Sequence, residues 1–187
     1  LLRASIGQIH YFRDLEVTLP GQSEINDNNS NIAGELAFSP NEHWGAISSV
    51  LWDTQDDEFN ETNIRAQFKS SGNFIINVGH RFRREDFNQS DISMVLPLSP
   101  QWRAVTRWNY DLKENRNLEI LGGLEYDTCC WKFRVVARRF NQDEDENYNN
   151  SIELQLTLKG LTSIGVPLDQ YLERTIRGYE NHNTFQY

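Results

Sequence analysis

The sequence predicts an all-β fold: an antiparallel transmembrane β-barrel segment of about ten strands from a larger barrel, with a short C-terminal helical tail. Three observations carry this. Apolar and polar residues alternate with period two over stretches of about ten residues, the length a tilted strand needs to cross a bilayer. An aromatic residue follows each short connection, at Trp44, Phe74, Trp102 and Trp131, spaced 30, 28 and 29 residues apart, as in a hairpin repeat. No run of about 18 apolar residues is present to cross as a helix, which leaves a barrel open because barrel strands are apolar on one face only.

Strands are expected near residues 3–12, 31–39, 44–54, 62–70, 73–83, 90–98, 102–111, 117–126, 130–140 and 149–159. The clearest runs from Ser151 to Lys159, where Ile152, Leu154, Leu156 and Leu158 alternate with Ser151, Glu153, Gln155, Thr157 and Lys159. The same parity sets Ile64, Ala66 and Phe68 against Arg65, Gln67 and Lys69, and Phe74, Ile76 and Val78 against Asn77 and Arg81. It returns in Trp102, Ala104, Trp108 and Tyr110 against Arg103, Arg107 and Asn109. One face of each strand meets something apolar.

Short connections fall at 40–43, 71–72, 100–101 and 128–129, and longer polar ones near 13–30, 55–61, 84–89, 112–116 and 141–148. Bacterial outer-membrane barrels show this asymmetry, with the short turns periplasmic. Trp44, Phe74, Trp102 and Trp131 then form one aromatic girdle, and Trp52, Phe82 and Tyr110 mark the opposite interface. A soluble β-sandwich or lipocalin-like barrel alternates too. Against it stand the charges recurring on the polar face, Arg65, Lys69, Arg81, Arg83, Arg103, Arg107, Glu119, Glu125, Lys132, Arg134, Arg138 and Lys159, which suit the hydrated lumen of a wide barrel.

After Gly160 the period changes. Pro167 suits a first helical turn, Leu168, Tyr171, Leu172 and Ile176 recur at helical spacing, and Gly178 is a stop. Residues 1–160 are thus read as barrel strands, and 161–187 as a periplasmic tail with a short helix on the short-turn side. The chain starts Leu1-Leu2-Arg3, without an initiator Met or signal-peptide core, and reads as a fragment.

A formal charge of -9 argues against nucleic-acid binding, which needs a basic surface. The acids gather in segments read as solvated loops, Asp53–Glu58 and 142–147. The two cysteines, Cys129 and Cys130, are adjacent. A bond between neighbours would strain disulfide geometry, so oxidised partners would lie outside this chain.

The paired-cysteine turn Gly123-Leu124-Glu125-Tyr126-Asp127-Thr128-Cys129-Cys130-Trp131 resembles the turn near the C-terminus of the LptD family, barrels that place lipopolysaccharide in the outer leaflet. The stretch Asn149 to Leu161 resembles that family's last strand, and Tyr11-Phe12-Arg13-Asp14 also fits a barrel segment of it. The resemblance is strongest over residues 117–179. It implies a bacterial outer-membrane barrel of about 26 strands, of which this chain supplies roughly the last ten. It further implies that Cys129 and Cys130 form disulfides with a missing periplasmic domain, and that residues 149–159, with Ser151 to Leu158 at their centre, form half of a lateral gate. The implied partners are lipopolysaccharide, an LptE lipoprotein plug, the periplasmic LptA bridge reached through the missing domain, and the BAM complex during assembly.

Two rival functions share some of these features. A general outer-membrane porin shares the polar lumen, but the cysteine turn and helical tail disfavour it. A hydrolase needs a nucleophile beside a histidine, whereas His10, His43, His80 and His182 are scattered without a motif. No enzyme activity, cofactor or metal is expected. Arg81, Arg83 and Arg84 form a cluster suited to lipid phosphate, since guanidinium binds phosphate bidentately, or to a solvated lumen rim.

Overall fold

The computed structural model describes residues 1–10, 31–141 and 148–180. Eleven strands form one sheet in chain order, each antiparallel to the next. They are β1 (Leu2–Gly7), β2 (Ile32–Phe38), β3 (Trp44–Asp53), β4 (Glu58–Lys69), β5 (Ile75–Arg83), β6 (Phe87–Pro97), β7 (Trp102–Asp111), β8 (Arg116–Asp127), β9 (Trp131–Asn141), β10 (Tyr148–Leu158) and β11 (Thr162–Gly165). One helix, α1 (Leu168–Thr175), follows. Among the described residues the sheet is open, with β1 and β11 at its edges. Residues 11–30, with Tyr11–Asp14, the acidic run 142–147 and His182 lie outside the described residues.

All ten expected strands are present, and two expectations are corrected. First, residues 149–159 are not the terminal strand: β11 pairs with the end of β10, Gln155 opposite Gly165 through Leu158 opposite Thr162. Four residues are too few to show a period. Second, turn length does not separate the two ends of the central hairpins. Strands begin at Glu58, Phe87 and Arg116, where loops were expected, leaving turns of only 54–57, 84–86 and 112–115. Backbone pairing continues through mostly polar residues as well as through apolar ones. Asp57, Glu85 and Asn115 close these turns with positive φ.

Beyond these corrections, α1 packs on the polar face of the sheet. Leu168 and Leu172, four residues apart, form a stripe on α1 that Ile176, just past its end, continues. That stripe and Tyr179 meet Ile75, Val95, Val105, Leu121 and Val136, giving a small buried core. Each fully buried aliphatic side chain contributes about 1.5–3 kcal/mol. Gly123 makes the centre close: a Cβ there would stand 2.9 Å from methyl groups of both Val105 and Val136. The tail lies over the short-turn half of the strands, where Gln67 and Asn77 both donate to the Arg177 carbonyl at 3.0 Å.

The opposite face is bare and apolar. Leu36, Phe38, Ile64, Val78, Trp108, Ile120, Leu124, Ile152 and Leu154 are all exposed there. Register sets them side by side, with Ala104 opposite Leu124, Leu124 opposite Val135 and Val135 opposite Leu154.

Candidate functional site

The girdle residues follow the short turns and sit on the bare face, as alternation along β3, β5, β7 and β9 requires. Trp44 packs on Phe68 at 4.7 Å between ring centroids, and Phe68 reaches Phe74 at 6.1 Å. Tyr126 lies between Trp102 and Trp131, at 4.8 and 5.2 Å. Phe68 and Tyr126 lie near the ends of the partner strands of these hairpins, so the belt gains two aromatics beyond the four that follow the turns. At the far end Trp52 meets Phe59 edge-on at 4.6 Å, and Trp108 meets Tyr110 at 5.7 Å.

On the polar face the charges form two clamps of one design across β7, β8 and β9. Glu125 takes Arg103 Nη2 at 2.5 Å and Arg134 Nε at 3.1 Å, and Tyr179 donates its hydroxyl to it. Glu119 takes Arg107 Nη1 at 2.8 Å and Arg138 Nη2 at 3.0 Å, and the Tyr171 hydroxyl donates to it. Each tyrosine ring also lies under a guanidinium, Arg103 at 4.5 Å from the Tyr179 centroid and Arg138 at 4.2 Å from that of Tyr171. Burial, reinforced by the Glu119 carboxylate, pushes the Tyr171 hydroxyl up to about 12, and burial with Glu125 raises Tyr179 likewise. Both therefore remain neutral donors at physiological pH. Glu125 and Arg134 are 1% and 0% exposed, and a buried charge of this kind persists only when paired.

Along β10 the apolar and polar residues separate as the alternation requires. Ile152 and Leu154 are exposed on the bare face, while Gln155 and Thr157 are buried on the helix face and Ser151 and Glu153 are half-buried. Glu153 accepts from Arg138 at 3.3 Å, and Gln155 accepts from Arg134 at 2.9 Å. Gln155 also donates to Asp169 of α1 at 3.0 Å. Burial raises the Asp169 carboxyl, but the Gln155 amide and the Gln170 N–H outweigh it and hold it below the usual range. On its outer edge β10 meets β11 only over Gln155–Leu158, with one further bond from Val166 N to the Leu154 carbonyl at 3.1 Å. Among the described residues, Tyr148 to Glu153 are paired on the β9 side alone.

The cysteine turn is stitched to the end of β10. Lys159 N donates to the Cys130 carbonyl at 3.0 Å, and Lys159 Nζ reaches the Thr128 carbonyl and Asp127, each at 2.5 Å. Lys132 Nζ meets the other oxygen of Asp127 at 3.1 Å. Cys129 and Cys130 are free and exposed, and the hydrogen bond and charge of Cys129 push the Cys130 thiol up.

Arg81, Arg83 and Arg84 stay near one another at the other end of β5, each on protein acceptors. Arg81 donates to Gln89 at 2.8 Å, Arg83 to Glu61 at 3.2 Å, and Arg84 to Asp56 at 2.9 Å and to Glu58. For Arg83 and Arg84 these acceptors are carboxylates, which occupy guanidinium donors that a phosphate would use; for Arg81 the acceptor is the Gln89 amide oxygen. No cluster of three potential metal ligands occurs among the described residues. Sequence reading missed β11, Tyr179 and the aliphatic row under α1; that row hides because each member is a lone aliphatic at a polar-parity position.

Comparison with known proteins agrees with this geometry. The family model described as LPS transport system D matches residues 1–102, complementing the region 117–179 on which the resemblance rested. The LPS-assembly protein LptD of Nitrosococcus oceani is 36% identical over 96% of this chain and 24% of its own length. That of Xylella fastidiosa is 36% identical over 95% of the chain and 23% of its own length, and that of Hahella chejuensis 30% over 99% and 24%. The chain thus spans about a quarter of the length of these relatives. A two-faced antiparallel wall, and a match along nearly its whole length to proteins of one name, lead to one conclusion: this chain belongs to the LptD family of LPS-assembly proteins.

Proposed function

We propose that this sheet is a section of wall in a bacterial outer-membrane barrel that inserts lipopolysaccharide into the outer leaflet, with the edge of β10 and β11 as one side of a lateral gate. The bare face meets lipid and the helix-covered face the lumen. The observation that carries the reading is the divided edge of β10, paired with β11 near the short turn and unpaired from Tyr148 to Glu153 among the described residues. In hydrocarbon every unpaired backbone group costs several kcal/mol, so a strand poised to open needs a short, weak seam. The relatives' name supports lipopolysaccharide as the substrate.

On this reading Cys129 and Cys130 form disulfides with a periplasmic domain of the whole protein, where an oxidising compartment lets them persist. The remaining partners are an LptE plug in the lumen, the LptA bridge delivering lipid from the periplasm, and the BAM complex during assembly. Arg81, Arg83 and Arg84 serve as a lumen rim; contact with lipid phosphate would require exchange of their present acceptors. A general porin is disfavoured because α1 and the two clamps, Glu125 near the short turns and Glu119 towards the other end, occupy the polar face of β7 to β9, where a solute would pass.

Cysteine pairs joining residues 149–154 of β10 to the facing strand of the whole barrel test the gate. Crosslinking them is expected to stop lipopolysaccharide reaching the cell surface, while pairs between β5 and β6 leave export intact. Export continuing through a locked β10 seam, and blocked by locks elsewhere, would show that this strand is not the gate.

A further inference from the structure

The chain passes from the sheet edge to the polar face in two residues. β11 ends at Gly165 and α1 begins at Leu168, leaving Val166 and Pro167 as the link. Gly165 has φ +103, and a Cβ there would lie 2.2 Å from the Leu154 carbonyl oxygen, so the bend admits only glycine. One end of the link is a ladder of four residue pairs, too short to hold by itself. The other is anchored strongly: Leu168, Leu172, Ile176 and Tyr179 are buried, Tyr171 and Tyr179 bond the glutamates of the two clamps, and Asp169 bonds Gln155 of β10 itself.

We infer that the tail is a latch, in which α1 seated on the lumen face positions β11 on the edge of β10 and thereby sets how much of that edge is closed. This rests on the proposed role of β10 as a gate strand. Leu168 to Tyr179 act as positioning residues: they touch no substrate and work through the register of β11. While α1 stays docked, β11 covers Gln155–Leu158 and the step at Leu154 marks where its cover ends; when α1 is released, the whole outer edge of β10 is free to re-pair or to part.

Lengthening the link separates the two ends without disturbing either. A six-residue Gly-Ser insertion between Val166 and Pro167 takes the link from two residues to eight. Loop closure scaling as the three-halves power of length makes β11 seating about eightfold less favourable. Hydrogen exchange of the full-length protein in its membrane complex reads this directly. Amides of 159–166 are expected to exchange about eightfold faster in the insertion variant, with β8 and β9 unchanged as an internal control of folding. Leu172→Asp, which undocks α1, should raise exchange at 159–166 at least as much. Unchanged protection of 159–166 in the insertion variant would overturn the latch, whatever Leu172→Asp does to the remainder of the sheet. Lipopolysaccharide export measured in the same variants separates the two ideas: faster exchange with unaltered export upholds the latch and removes the gate role of β10.

Discussion

At the scale of single residues, the strongest constraint is the burial of paired charge. Glu125→Ala would leave Arg134 and Arg103 uncompensated beneath Tyr179, and removing one partner of a buried pair destabilises by about 3–5 kcal/mol. The expected outcome is a lower unfolding midpoint in urea, with Arg65→Ala, on the same face but exposed, near neutral. Gly165→Ala combines positive φ with a clash on Leu154 and should cost about 1–3 kcal/mol or more, read as faster exchange at 159–166. Cys129 or Cys130 should appear disulfide-bonded to a cysteine outside these residues in mass spectra of the unreduced full-length protein; two free thiols would exclude that pairing. The charges of the clamps were legible as a polar parity, whereas the clamps were not. Glu125 and Tyr179 are 54 residues apart, and local period says nothing about which distant hydroxyl covers a carboxylate.

At the scale of elements, strands were legible wherever one face is apolar over three or more alternate positions, as at Ile152, Leu154, Leu156 and Leu158. β11 was not, because Thr162 to Gly165 offers only one aliphatic, Ile164. Strand ends were underestimated at Glu58, Phe87 and Arg116, where isolated aromatics such as Phe59 and Phe87 stand among polar residues and pairing continues past the regular alternation. The helix was found from its spacing, but its destination was not, since the row it covers consists of isolated aliphatics on five different strands. The alternation yields a sharp expectation for β10. Leu156→Lys puts a charge on the bare face and should cost about 2–4 kcal/mol near the bilayer midplane and less towards an interface. Thr157→Lys on the other face avoids hydrocarbon but crowds buried neighbours. Folding yield into lipid vesicles compares them: the Leu156 variant should fail as the bilayer is thickened, and the Thr157 variant should respond little to thickness.

At the scale of the whole molecule, the account is of a wall with lipid on one side and a partly filled lumen on the other. The aromatic belts at both strand ends, the bare aliphatic face and the clamped polar face support that proposal. Paramagnetic accessibility of spin labels placed one at a time at residues 151–158, in the full-length protein in a bilayer, tests it most directly. Labels at Ile152, Leu154, Leu156 and Leu158 should be reached by dissolved oxygen, and those at Ser151, Glu153, Gln155 and Thr157 should be shielded from it, in strict alternation. Equal oxygen accessibility at odd and even positions, or the reverse alternation, would contradict the assignment of lipid to the bare face.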